Sequence, residues 1–317
     1  MERSELTTRV AGVDVGKLKL DVAVHGLDEL SVVANDQAGF KTLAAWLHDR
    51  GVGRVGLEAT GGYERGVRSA LEQAGFEVVV HQPIEVRMFA KLKRLRAKND
   101  RLDAKVIAQA TAQTQAVKAA QDPRLIELAD HLTVYELITD KAASLKTALE
   151  QVRLKDLVAC LRAQIRSLER LKAKLIAGIL MRIKAEPDLL DRFKLLMSLP
   201  GVGPITAATL VIRMPELGAM NRGQPASLAG VAPFDRDSGQ LKGLRMIAGG
   251  RAKPRRMLYL AASVAKRHDP GFKAFAQRLA ANGKKPKVVT VAIMRKLIEA
   301  ANLVLARGQP WVRTVAT

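Results

Sequence analysis

Cysteine is almost missing from this chain: its 317 residues contain one, Cys160. A single thiol excludes an internal disulfide framework and fits a reducing cytoplasm. It lies on a helical stretch and reads as core filler rather than as a nucleophile. Histidine is also sparse, with five scattered residues and no cysteine pair to join them, so a structural zinc site has nothing to be built from. No run of about eighteen uninterrupted apolar residues occurs, which excludes a hydropathy-type membrane span. The first residues, Met1-Glu2-Arg3-Ser4-Glu5-Leu6-Thr7-Thr8-Arg9, lack the apolar core of a signal peptide. What remains, 48% apolar residues and a mean hydropathy near zero, describes a soluble globular protein with ample core.

Acidic residues are scarce in one region only. Residues 191–317 hold 22 basic and 6 acidic residues, for +16 of the total +21. Residues 1–120 hold 18 and 15, for +3, and residues 121–190 hold 12 and 10, for +2. A C-terminal excess of that size points to a nucleic-acid partner. With aromatics at only 4%, base stacking on aromatic platforms is not the expected main mode of recognition.

Three regions follow from the patterns. The first, 1–120, alternates strands and helices. Arg9–Lys17 and Leu18–Gly26 read as a hairpin, Leu30–Asn35 as a third strand, Ala38–Arg50 as a helix, and Arg54–Ala59 as a short apolar strand. Gly62–Gly75 reads as a helix, Glu77–Gln82 as a strand, Pro83 as a helix opener and Asp100–Gln113 as an amphipathic helix. The order βββαβαβα is that of the ribonuclease-H-like fold. The second region, 121–190, is helical in pattern from Pro123 to Ile183, with Leu154, Leu161, Leu168 and Leu175 recurring at seven. A coiled coil or a long helical hairpin results, and self-association through it is natural although Gln164 and Gly178 interrupt the seam. The third, 191–317, is mainly helical. Leu199-Pro200-Gly201-Val202-Gly203 reads as the turn of a helix-hairpin-helix element, whose Gly201 and Gly203 let backbone N–H groups approach a phosphate. The same turn also serves elsewhere as a packing joint. A basic, glycine-rich, strand-poor stretch runs from Ala229 to Arg251, followed by helices over Arg255–Lys266, Gly271–Ala281 and Lys287–Ala306.

Four carboxylates carry the chemistry. Asp14 sits within Gly12-Val13-Asp14-Val15-Gly16, and Glu58 ends an apolar strand in Gly56-Leu57-Glu58. Asp100 and Asp103 are three apart on a helical pattern, so both leave one face. In the expected fold the first and fourth strands are neighbours, which brings Asp14 beside Glu58, with the terminal helix laying the Asp pair over the same edge. Carboxylates gathered in this way need a hard divalent cation such as Mg²⁺ or Mn²⁺. An actin-type ATPase loop also reads Asp-x-Gly, but the further glycine-rich motifs it needs are not found. Asp21 and Asp36 are nearby decoys, Asp21 being expected to face solvent. A second feature is Asp235-Arg236-Asp237-Ser238-Gly239, followed by Lys242, Arg245, Arg251, Lys253, Arg255 and Arg256. Such cations bind phosphate and stabilise a pentavalent transition state, and Ser238 among them is a candidate nucleophile. From spacing alone, ordinary turn chemistry explains that serine better. Lys91, Lys93, Arg94 and Arg96 precede the Asp pair as candidate phosphate-backbone contacts, and Lys284, Lys285, Lys287, Arg295 and Lys296 extend the footprint.

Taken together, these motifs resemble those of the DEDD transposases of bacterial insertion sequences, in the family numbered one hundred and ten, which are described as bridge-RNA-guided serine recombinases. The resemblance runs through Glu58-Ala59-Thr60-Gly61-Gly62-Tyr63, Asn99-Asp100-Arg101-Leu102-Asp103-Ala104, Leu199-Pro200-Gly201-Val202-Gly203 and Leu228-Ala229-Gly230-Val231-Ala232-Pro233. It continues in Asp237-Ser238-Gly239, Arg255-Arg256-Met257-Leu258-Tyr259-Leu260 and Met294-Arg295-Lys296-Leu297. It implies a RuvC-like N-terminal domain, a coiled-coil linker and a C-terminal transposase domain. It further implies that Asp14, Glu58, Asp100 and Asp103 bind divalent metal and that Ser238 forms a covalent phosphoserine link to DNA. The two sites are expected to combine across subunits of a homo-oligomer, a dimer or tetramer. Its expected partners are donor and target DNA and an element-encoded bridge RNA, in a bacterial cytoplasm at the nucleoid, without a membrane. Pro254 and Met257 depart mildly from the family pattern, and Pro254 is expected at the first position of a helix. Two alternatives stay open: a RuvC-like metal-dependent endonuclease that uses water, with Ser238 a bystander, and a non-catalytic nucleic-acid-binding protein.

Overall fold

Alternation along the first strands assigns their two faces. In β1 (Arg9–Val15), Ala11, Val13 and Val15 are buried in one apolar cluster with Leu20, Val22 and Val24 of β2 (Lys19–Val24). The intervening positions, Gly12 and Asp14, take the opposite face, because successive strand side chains alternate. β3 (Leu30–Ala34) follows, then α1 (Gln37–Asp49), capped by Asp36, whose carboxylate accepts from the Gly39 amide at 2.8 Å. β4 (Val52–Glu58), α2 (Glu64–Gln73), β5 (Glu77–His81), α3 (Pro83–Leu92) and α4 (Asp100–Ala112) complete the first of two compact units, Met1–Gln121 and Asp122–Thr317. The computed structural model describes residues 9–93, 100–114, 122–234 and 245–312, and excludes the side chains of 100 and 101.

The sheet order is β3-β2-β1-β4-β5. β1, β2 and β3 pair antiparallel, while β4 lies parallel to β1 and β5 parallel to β4. That order, with α4 across the sheet, is ribonuclease-H-like, as the sequence pattern indicates. Phe40, Leu43 and Leu47 of α1 and Val67 and Leu71 of α2 fill the apolar face.

The other face is set by a pair of glycines. Gly12 of β1 and Gly56 of β4 are register partners on neighbouring strands. A Cβ on Gly12 would collide with the Ala108 amide and the Ala104 carbonyl, and one on Gly56 with the Thr111 hydroxyl. The helix backbone therefore lies directly on the sheet, closer than any side chain permits. Further along, Arg54 at the start of β4 donates to the Thr114 carbonyl just past the end of α4, at 3.1 Å. Thr114 beside Arg54 and Thr111 beside Gly56 make α4 antiparallel to β1 and β4.

The second unit is built from α5 (Pro123–Gln151), α6 (Lys155–Ala185), α7 (Pro187–Met197), α8 (Pro204–Arg213) and α9 (Gln224–Leu228). The short strands β6 (Pro233–Phe234) and β7 (Met246–Ile247) follow, then α10 (Ala252–His268), α11 (Pro270–Ala281) and α12 (Pro286–Arg307). Of the two arrangements expected for the heptad region, the helical hairpin is the one observed. The pattern breaks at 152–154, where Val152 and Leu154 are extended, so the first leucine of the seam lies in the connection and is exposed. Ion pairs Arg124–Glu186, Glu127–Arg182 and Lys146–Glu169 fix α5 and α6 antiparallel. Leu128, Leu132 and Tyr135 of α5 and Ile179 and Ile183 of α6 join the unit's main core.

Cys160, expected in the core, is exposed on α6 instead, because the buried stripe of that helix is confined to its far end at Ile179 and Ile183. The strand-poor stretch contains the β6–β7 ladder, with Pro233 opposite Ile247 and Phe234 opposite Met246. Pro254 occupies the third position of α10 rather than the first and is buried. Its missing N–H still falls in the first turn, where no intrahelical partner exists. Among the described residues no helix is long and apolar enough to cross a membrane.

Two glycines should respond with opposite sign. Gly12→Ala is expected to lower the stability of the first unit by about 3 kcal/mol or more, since backbone rather than side chain must move. Gly178→Ala, mid-helix with only the flexible Arg182 guanidinium 3.5 Å away, is expected to stabilise the second unit by about 0.5–1 kcal/mol. Thermal unfolding of the two variants beside the parent chain checks both.

Candidate active site

The acidic edge follows from the glycine seat. Asp14 is two residues beyond Gly12 and Glu58 two beyond Gly56, so each shares the face on which α4 lies. The last register pair between β1 and β4 is Val13 with Leu57, and the next residue on each strand is one of these two carboxylates. Two strand residues advance about 6.6 Å, a rise that a helix covers in about four residues. Four residues before Ala104, the residue over Gly12, is Asp100, and Asp103 directly precedes it. The antiparallel course of α4 thus carries both Asp positions to the edge that holds Asp14 and Glu58.

Among the described residues no three His, Cys, Asp or Glu groups converge as a metal-holding set; the Asp100 side chain lies outside them. By chemistry, the quartet fits a hard divalent cation, since every donor is a carboxylate oxygen.

Two further polar groups at this edge are structural findings. Asp21 is not on the solvent side: it is 5% exposed, stands directly opposite Asp14 in the β1–β2 register and pairs with the Lys19 ammonium at 3.0 Å. The α4 helix covers the polar side of β2, which alternation alone assigns to water. Carboxylates directly opposed across strands repel, and Lys19 offsets that charge. His81 ends β5 in register with Glu58, and its Nε2 lies 2.9 Å from the Thr111 hydroxyl of α4. That contact ties the helix to β5 as well. The sequence signal for both was their placement on strands neighbouring an acidic residue at the same register.

The loop after Glu58 is organised by Glu64. Its carboxylate accepts from the Gly62 amide at 2.8 Å, the Thr60 amide at 3.1 Å and the Thr60 hydroxyl at 3.0 Å. Partial burial pushes this carboxyl up, but these hydrogen bonds outweigh it and hold Glu64 below its ordinary value.

The second candidate centre is the basic loop. Ser238 and Lys242 lie outside the described residues, as do Arg94 and Arg96 of the first unit. What the structure describes is the base on which the loop stands. Gly230 and Gly250 approach so closely that a Cβ on Gly230 would collide with the Gly249 backbone and one on Gly250 with the Gly230 backbone, and both have positive φ, +69° and +66°. Arg255 donates to the carbonyls of Gly249 at 2.5 Å and Gly230 at 3.4 Å, and the Arg251 amide bonds the Leu228 carbonyl at 2.8 Å. The β6–β7 ladder then leads into the loop.

The remaining candidate contacts divide. Lys91 and Lys93 on and just after α3 are exposed, as is Arg245 beside the loop. Lys253 and Arg256 are exposed too, and each also has an ion-pair partner, Glu136 at 3.3 Å and Asp140 at 2.6 Å, as Arg251 has Glu216 at 2.6 Å. Gly201, at φ +76°, faces the α10 backbone at Ala261 and Ala265 and forms a packing joint, while no heavy atom stands within 4 Å of a Cβ on Gly203.

Fold and acidic edge together define a ribonuclease-H-like protein of the DEDD class. One family model, described as "Transposase" of the DEDD IS110 type, matches residues 11–158, and a second, "Transposase IS116/IS110/IS902 family", matches 193–277. The chain belongs to this family of insertion-sequence transposases, and is by class a DNA transposase or recombinase. It is similar to the pilin gene-inverting proteins of Moraxella bovis and Moraxella lacunata, each 25% identical over 318 residues, covering 96% of this chain and 98% of theirs. Among solved structures, Thermus thermophilus RuvC with a Holliday junction substrate matches at 18% identity over 32% of this chain and 91% of RuvC, with a TM-score of 0.27. A second RuvC structure gives 18% identity and 0.26. The fold assignment rests on strand order and not on these likenesses.

Because its folded-state value is lowered, Glu64 stabilises the loop at pH above its ordinary 4.5, and that contribution is lost as pH falls through the folded-state value. Glu64→Ala is expected to reduce amide-exchange protection of Thr60 and Gly62 about tenfold at neutral pH. The parent chain should approach the same state on acidification, and exchange measured by NMR against intrinsic rates checks both.

Proposed function

We propose that this chain is an RNA-guided DNA recombinase that cuts and rejoins strands through a phosphoserine link at Ser238. The observation that supports this reading most is the glycine-seated, antiparallel α4, which aligns the backbone positions of Asp100 and Asp103 with Asp14 and Glu58 at one sheet edge. In this reading the four carboxylates hold Mg²⁺ or Mn²⁺. Such a cation, when bound, supplies positive charge to a phosphate oxygen as negative charge develops there.

The chain's own residues do the rest. The Ser238 hydroxyl oxygen forms a bond to phosphorus as the bond from phosphorus to a deoxyribose oxygen breaks, and that oxygen leaves as a hydroxyl with the proton that serine gives up. Attack by another strand's hydroxyl reverses the step and frees the serine. The count of phosphodiester bonds is conserved, so no external energy source is needed. Exposed Lys91, Lys93 and Arg245, with Arg94, Arg96 and Lys242, are the proposed phosphate contacts. Arg255 holds the loop base through the Gly230 and Gly249 carbonyls, and Arg251, Lys253 and Arg256, which pair with Glu216, Glu136 and Asp140, are secondary phosphate contacts. The Gly203 turn is assigned a backbone contact to phosphate, and Gly201 its packing.

The Moraxella relatives are named for inverting a pilin gene, an outcome that requires each broken end to be rejoined. Selection of donor and target DNA is assigned to an element-encoded bridge RNA, and assembly to a dimer or tetramer, both on the family resemblance.

The test is covalent trapping. Protein, element-derived RNA, Mg²⁺ and labelled donor and target DNA are resolved on a denaturing gel beside Ser238→Ala and Asp14→Asn. A protein–DNA adduct formed by the parent and lost in both variants is expected, with a fall of at least about a thousandfold in product. Free cleaved DNA produced equally by the parent and Ser238→Ala contradicts the serine mechanism and leaves a water-using nuclease.

A further inference from the structure

Within the second unit, α11, α12 and the segment Met220–Arg222 line a wide, open cavity of about 1420 Å³. Asn302 of α12 builds one wall: its side chain accepts from the Gly218 amide at 2.7 Å and donates to the Met220 carbonyl at 2.9 Å, fixing that segment against the helix. The volume exceeds that of a usual small-molecule site.

The lining is unusual for this chain. Only 12 residues are aromatic, from 7 Phe, 3 Tyr and 2 Trp, yet Phe272, Phe275 and Trp311 meet here. Arg222, Arg295 and Lys296 line the same cavity, and none of them forms an ion pair among the described residues. The Lys296 ammonium stands 4.5 Å from the centre of the Phe275 ring. Two carboxylates also line it, each with one oxygen bonded to backbone: Asp269 accepts from the Phe272 amide at 3.0 Å and Glu299 from the Gly223 amide at 3.1 Å, and the second Asp269 oxygen is buried. The Trp311 indole Nε1 is buried and has no hydrogen-bond partner among the described residues. That nitrogen has almost no accessible surface, so the ring of Trp311, and not its N–H, faces the cavity.

We propose that this cavity binds an unpaired nucleotide of a single-stranded nucleic acid. A base offers a flat apolar face for the aromatic walls. Its flanking phosphates match the three cations. A duplex presents no open base face, so the site discriminates strandedness and not sequence. The proposal rests on the nucleic-acid part of the function proposed above and is independent of Ser238 and the acidic edge.

The test uses the full chain carrying Trp46→Phe, which leaves Trp311 as the sole tryptophan. It is titrated with twelve-nucleotide oligo(U), oligo(dT) and a duplex of equal length, following tryptophan emission and, separately, anisotropy of labelled strands. Single strands are expected to quench Trp311 saturably, while the duplex binds without that quench. Adding R295Q/K296Q should weaken single-strand binding about tenfold and flatten its salt dependence by about 1.4 in log–log slope, with a clearly smaller loss on the duplex. Circular dichroism confirms that the variant folds. Tighter binding of oligo(U) assigns the site to RNA and of oligo(dT) to a displaced DNA strand, and either supports it. Absence of quenching where the duplex binds, or equal losses on single strand and duplex, overturns the cavity while leaving the nucleic-acid reading intact. Failure to bind either form overturns both.

Discussion

Everything at the candidate active centre depends on one contact between backbones. Gly12 and Gly56, side by side on parallel strands, let α4 lie on the sheet with no side chain between. Because contact is that close, the helix has little freedom to slide or rotate, and Arg54 and His81 pin it at further points. Its antiparallel course then fixes which residues reach the sheet edge. Asp14 and Glu58 follow the last register pair of their adjacent strands, and Asp21 stands opposite Asp14 with Lys19 beside it.

The second unit uses the same device at the base of the basic loop. Gly230 and Gly250 meet backbone to backbone in left-handed conformations, and Arg255 joins the carbonyls around them. Arginines that look from sequence like a phosphate footprint thus divide into two kinds. Arg255 bonds the glycine carbonyls at the loop base, whereas Arg251 and Arg256 pair with Glu216 and with Asp140 of α5. Lys91 and Lys93, on and just after α3, are exposed. The net charge of +21 therefore overstates the surface available to a polyanion.

The strand–helix order of the first region was legible because each element buries one clean face: Ala11, Val13 and Val15 on β1, or Phe40, Leu43 and Leu47 on α1. The juxtaposition of Asp14 and Glu58 follows from that order, since strand neighbours in this topology are known once the topology is. Asp21 was misread because alternation assigns β2's polar face to solvent, and only the closeness of α4, allowed by two glycines distant in sequence, buries it. The heptad leucines gave a helix correctly but not its interruption at 152–154, where no glycine or proline marks the turn. Cys160 followed the same error, as a seam drawn through Leu154 and Leu161 places its neighbour inside. The cavity around Trp311 was invisible because its walls come from residues 220–222, 269–275 and 292–311, joined only by the tertiary fold.

The central claim is that α4 completes a divalent-metal site with Asp14 and Glu58. It is tested most directly by titrating Mn²⁺ into the full chain and into Asp14→Asn, following free Mn²⁺ by electron paramagnetic resonance in the absence of nucleic acid. The account expects a saturable site in the parent whose affinity falls at least about tenfold in the variant, with the circular dichroism of both unchanged. Equal binding by the two proteins, or no saturable binding by the parent, would contradict it.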